Sequence, residues 1–118
     1  MSAKGVVAAG HPLTAEAGAE VLREGGNAVD AAASAVLTSF VTESPLTGFG
    51  AGGFMLVHKP GVPDVLFDYF VAAGGADGVE RKAELVPIPV YFDETPQTFN
   101  CGAASCGVPG NPATIAIR

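Results

Sequence analysis

The chain has 118 residues, 48% of them hydrophobic, enough to fill the core of one domain. Its formal net charge is -6, and its six Lys and Arg residues are scattered, so there is no basic stripe to meet a phosphate backbone and nucleic acid is excluded as a natural partner. Charged residues make up only 15%, while there are 16 glycines and 9 prolines, so part of the surface is expected to be covered by other protein.

Met1 to Gly10 lacks the basic and apolar regions of a signal peptide, and the chain reads as cytoplasmic. The segment Gly5-Val6-Val7-Ala8-Ala9 is short and apolar and is stopped by Gly10-His11-Pro12, which predicts a buried strand. Ser2 would place a hydroxyl beside a free amine if Met1 were removed, but a single serine specifies little. Thr14 is placed to cap a helix from Ala15 to Glu24, whose positions Ala17, Val21 and Leu22 share a face and whose end is marked by Gly25-Gly26. Asn27, with Asp30 three positions on, predicts a capping box opening a second helix, Ala28 to about Thr42. That helix is apolar almost all round and should be buried on most faces.

Glu43 to Gly53 holds Pro45 and four glycines and is read as a shaped loop. Phe54–His58 and Val65–Val71 follow as two strands around the turn Lys59-Pro60-Gly61-Val62-Pro63-Asp64. Ala72 to Lys82 is irregular. Leu85 to Phe92 is extended, with Pro87 and Pro89 confining it to an edge. One more strand is expected within Thr98 to Val108, and Asn111-Pro112 reads as the opening of a helix near the terminus, which suggests truncation.

Motifs for chemistry are few. Gly48, Gly50 and Gly53 satisfy G-x-G-x-x-G, but a helix precedes them and a strand follows, the reverse of what a dinucleotide cradle needs. There is no G-x-S-x-G elbow, and neither His11 nor His58 has a compelling acidic partner in sequence. Cys101 and Cys106, the only cysteines, have no second pair and no nearby His to complete a metal set, and are read as buried free thiols.

Four blocks carry a resemblance: His11-Pro12-Leu13-Thr14-Ala15-Glu16-Ala17-Gly18, Gly25-Gly26-Asn27-Ala28-Val29-Asp30-Ala31-Ala32, Glu43-Ser44-Pro45 to Gly48, and Gly50-Ala51-Gly52-Gly53-Phe54-Met55-Leu56-Val57. In this order and spacing, with Gly107-Val108-Pro109-Gly110 downstream, they resemble the γ-glutamyltranspeptidase family. The resemblance implies an α+β fold, part of the αββα sandwich of N-terminal-nucleophile hydrolases, with residues 1–118 as the N-terminal part of a large chain. It also implies a small chain of the same precursor as partner, whose N-terminal threonine attacks a γ-glutamyl or related amide, so no catalytic residue is expected here. No cofactor, metal or membrane partner is implied.

One family binding residue falls within the chain, an arginine of a D-F-R-like segment that grips the substrate α-carboxylate. The matching segment is Asp68-Tyr69-Phe70, so Phe70 stands at the arginine position, with neither charge nor donor. Phe70 is then either an aromatic strand residue packed in the core or an apolar wall of the acyl pocket. Arg81, in the adjoining loop, is a candidate replacement for the missing charge, though nothing in the sequence aims it there. Two functions follow: a γ-glutamyltransferase or related amidohydrolase, and a non-catalytic module derived from one.

Overall fold

The computed structural model describes residues 5–74, 78, 82 and 84–112, arranged in two compact units. The first takes in the described residues up to Phe70 together with 109–112. The second spans Val71–Val108.

The first unit opens with a helical pair, α1 (Pro12–Arg23) and α2 (Ala28–Thr42). Helix α1 starts three residues before the position expected from Thr14. His11 is its cap, with Nδ1 accepting from the Leu13 amide at 3.2 Å, and Pro12 takes the first helical position, where a missing N–H costs nothing. Thr14 is thereby turned inward and buried. Its hydroxyl lies 2.7 Å from that of Thr42 and donates to Glu43 Oε2 at 3.1 Å, tying the start of α1 to the end of α2. With that proton on Glu43, Thr42 must donate to Thr14 or to its own Thr38 carbonyl, 3.1 Å away.

The helix ends follow local chemistry. Gly25 is left-handed at φ 97°, and the bonds from Gly26 N to Val21 O (2.8 Å) and Gly25 N to Leu22 O (3.3 Å) close α1 in a Schellman motif. Asn27 Oδ1 accepts from Val29 and Asp30 amides at 2.8 and 3.1 Å, and the Asn27 amide donates to Asp30 at 3.1 Å, the expected capping box. On the surface, hydrogen bonds to Glu16 and then Glu20 raise the Arg23 pKa further above its ordinary value.

Gly18 lets the helices approach closely. A Cβ there would sit 3.0 Å from the Ala31 carbonyl oxygen and 3.0 Å from Val7 Cγ1. Backbone cannot give way, so Gly18→Val is expected to cost about 2–3 kcal/mol by overpacking. Gly18→Ala should cost less, because roughly 1 kcal/mol of helix propensity offsets part of the strain. Urea unfolding of the two variants checks the ranking.

The strand expected at Gly5–Ala9 makes no sheet pairing among the described residues. Val7 faces Gly18, but Val6 is 91% exposed, because a strand needs a neighbour to be buried. The segment and the two helices instead frame an open apolar groove of about 400 Å³. Helix α2 likewise is less buried than its composition predicts: Ala31 is enclosed, while Leu37 and Val41 are exposed.

After the loop come β1 (Phe54–Val57) and β2 (Val65–Asp68), paired antiparallel with Phe54 opposite Asp68 and Val57 opposite Val65. The first ends at Val57 rather than His58, and the second at Asp68 rather than Val71. Pro60 and Gly61, the latter at φ 84°, form the turn between them, and Val62 N donates to Lys59 O at 3.3 Å. His58 Nδ1 lies 2.6 Å from Asp64 Oδ1 at the turn end of the hairpin, so His58 does have an acidic partner, one that sequence distance concealed.

In the second unit, β3 (Ala72–Ala73) pairs with β6 (Gly107–Val108), and β4 (Val86–Phe92) pairs with β5 (Thr95–Cys101). Pro87, Pro89 and Tyr91, which faces Pro96, belong to one alternating set of pairs. The other set, from Val86↔Cys101 to Phe92↔Thr95, can therefore carry the ladder bonds while the missing N–H groups face outward. Asp93, at φ 53°, makes the tight turn. A 3₁₀ turn, Ala103–Ser105, follows β5. Cys101 and Cys106 are free but exposed rather than buried, because they flank this surface turn. The helix expected from Asn111 begins there, and its remainder lies outside the described residues.

Candidate functional site

Three stretches far apart in sequence meet at the open end of the β1–β2 hairpin. Gly53 and Tyr69 extend its ladder by one pair, with N–H···O distances of 3.3 and 3.1 Å. The Gly48–Gly53 loop enters on one side, and Gly110-Asn111 packs on the other. Amides of Gly110 and Asn111 both donate to the Ala51 carbonyl, at 3.1 and 3.0 Å. The Asn111 side chain, 4% exposed, donates from Nδ2 to Gly48 O at 2.7 Å. Asn111 was expected as a helix cap. Its buried amide anchors the glycine loop, a role visible only once the two stretches are brought together; the amides it would cap lie outside the described residues.

The glycines of the loop serve different ends. A Cβ on Gly53 would lie 3.2 Å from the Tyr69 ring, whereas Gly48 and Gly50 have open space around them. Helix α2 lies before the loop and strand β1 after it, so no helix follows the glycines as a dinucleotide cradle requires.

Phe70 leaves the hairpin at this end. Its amide donates to Asp68 Oδ1 at 3.0 Å, a local turn that fixes where the chain departs. Its ring stacks on Phe54 with centroids 5.4 Å apart and planes 10° from parallel, and both rings are more than half exposed. Phe70 is thus not enclosed in a core within this unit. Phe54 was not singled out from sequence; its register opposite Asp68 is the signal that places it beside Phe70. Arg81 lies outside the described residues, as does Ser2.

His58 and Asp64 form an exposed pair at the other end of the hairpin, and no hydroxyl or thiol among the described residues hydrogen-bonds to His58. His11 is occupied as a helix cap. Among the described residues no helix is long and apolar enough to cross a membrane.

Two helices with antiparallel hairpins make an α+β arrangement, and it is part of an N-terminal-nucleophile hydrolase sandwich. The family model for gamma-glutamyltranspeptidase matches residues 14–116, and the chain belongs to that family. The glutathione hydrolase proenzyme of Bacillus subtilis is 52% identical over 54 residues, which cover 46% of this chain and 9% of that protein. The Acylase ACY 1 proenzyme of a Pseudomonas species is 34% identical over 108 residues, covering 91% of this chain and 19% of its own length. Among solved structures, γ-glutamyltranspeptidase from Pseudomonas nitroreducens, complexed with L-DON, superposes with a TM-score of 0.71 at 33% identity. That match covers 95% of this chain and 32% of the other. The chain therefore spans less than a fifth of these two curated relatives.

Proposed function

We propose that this chain is the N-terminal part of the large chain of an amide-cleaving acyltransferase or hydrolase, whose nucleophile is the N-terminal threonine of a small chain from the same precursor. The threonine hydroxyl adds to the amide carbonyl, its proton passing to the threonine's own amine. The substrate's C–N bond then breaks, its amine leaving with the proton held by the threonine amine, and water or an amino acid takes the acyl group from the resulting ester. The family match across residues 14–116 carries this reading, and the relatives' being proenzymes supports a partner cut from the same precursor.

The acyl group, on this reading, lacks a free α-carboxylate. Phe70 stands where the family resemblance calls for an arginine; its ring stacks on Phe54, and its backbone amide is held by the Asp68 carboxylate. Among the described residues of this unit the Lys and Arg side chains are Arg23, paired with two glutamates, and Lys59, at the far turn of the hairpin. An α-carboxylate at Phe70 would meet the Asp68 charge and no cationic side chain among the described residues of this unit.

The test is to express the complete gene product and follow it by mass spectrometry. Spontaneous cleavage into two chains, with a threonine at the new N-terminus and amide hydrolysis appearing only after cleavage, is the expected result. An uncleaved product that binds partners and turns over no amide would establish the non-catalytic reading instead.

A further inference from the structure

We propose that Phe54 is a second specificity-determining residue, forming with Phe70 a two-ring wall that selects amides with an aromatic acyl group. This rests on the reading that Phe70 lines the acyl pocket.

The wall is built by backbone features rather than by side-chain chance. Phe54 opens β1 opposite Asp68, and Gly53 and Tyr69 pair beyond it, so Phe70 emerges one step past the ladder. Asp68 then holds the Phe70 amide at 3.0 Å. From behind, the Gly110 backbone lies against the Tyr69 carbonyl so closely that a Cβ there would be 1.8 Å from its oxygen. Phe70 therefore has little freedom to leave Phe54.

Centroids 5.4 Å apart with planes 10° from parallel describe an offset stack. Offset leaves part of each face and the ring edges open, and both rings are exposed, 59% for Phe54 and 60% for Phe70. A third flat ring can extend such a stack, gaining from quadrupole geometry as well as apolar contact. A flexible alkyl chain gains only the contact. Asp68, whose carboxylate accepts the Phe70 amide, adds a negative charge that disfavours acidic acyl groups.

The experiment compares phenylacetyl-, hexanoyl- and γ-glutamyl-p-nitroanilide as substrates of the complete protein. Wild type should prefer phenylacetyl. Phe54→Leu should raise KM for phenylacetyl roughly three- to tenfold and the hexanoyl KM by clearly less, and Phe54→Tyr should restore the wild-type KM. Should Phe54→Leu fold poorly, Phe54→Met and Phe54→Tyr supply the same comparison. Equal KM changes for phenylacetyl and hexanoyl, no change for either, or a wild-type preference for hexanoyl would overturn the two-ring wall. If these results fail while Phe70→Arg still shifts preference toward γ-glutamyl, only the role of Phe54 falls. If Phe70→Arg shifts nothing, or wild type cleaves none of the three, the underlying pocket reading falls with it.

Discussion

Gly110→Ala is expected to unhook the glycine loop and to destabilise this unit by about 3–5 kcal/mol. The reason is space, not backbone conformation. An alanine Cβ would lie 1.8 Å from the Tyr69 oxygen, 2.6 Å from its carbonyl carbon and 3.1 Å from its Cα, all of them backbone atoms that cannot rotate away. The Gly110-Asn111 segment must retreat by more than an ångström. That retreat stretches three hydrogen bonds, two to Ala51 O and the buried Asn111 contact to Gly48 O. Losing such bonds costs about 1 kcal/mol each, and more for a buried amide left without a partner. Hydrogen exchange gives the local readout: the Gly110 and Asn111 amides should lose protection well before those of α1 and α2. Gly50→Ala is the control, since its Cβ would meet nothing within 4 Å and its effect should stay near zero. Equal exchange behaviour in the two variants would refute the close-approach explanation.

Phe70→Arg is expected to convert a poor γ-glutamyl substrate into a good one. In the complete protein, the wild type should hydrolyse γ-glutamyl-p-nitroanilide only at high concentration. The variant should lower its KM roughly ten- to hundredfold, the value of one well-made charge-assisted contact of about 1.5–3 kcal/mol. The guanidinium offers two parallel donors to a carboxylate, and Asp68, which already holds the amide of residue 70, is placed to steady it. Phe70→Lys should recover less, because an ammonium is a point charge without the fork. Hydrolysis of uncharged acyl anilides should worsen in parallel, since the stack on Phe54 is lost. Efficient wild-type cleavage of the γ-glutamyl substrate, saturating at low concentration, would sink the idea that Phe70 marks a changed pocket.

Sequence alone determined what depends on neighbours a few residues apart. The Gly25-Gly26 stop, the Asn27 capping box, the bounds of α2 and the Pro60-Gly61 turn all follow from chemistry within one turn of chain. The spacing of the motif blocks likewise made the family legible, as the match over residues 14–116 shows. Tertiary structure decided what depends on distant groups. Thr14, a plausible cap by type, is drawn inward to Thr42 and Glu43 once His11 and Pro12 start the helix. Asn111 serves Gly48, 63 positions away, and Phe54 becomes the neighbour of Phe70 only through strand register. Val7 and Val6 show the same limit from the other side. Apolar patterning says that a segment seeks cover, but cover is supplied by whatever packs against it, and that is a property of the assembled fold.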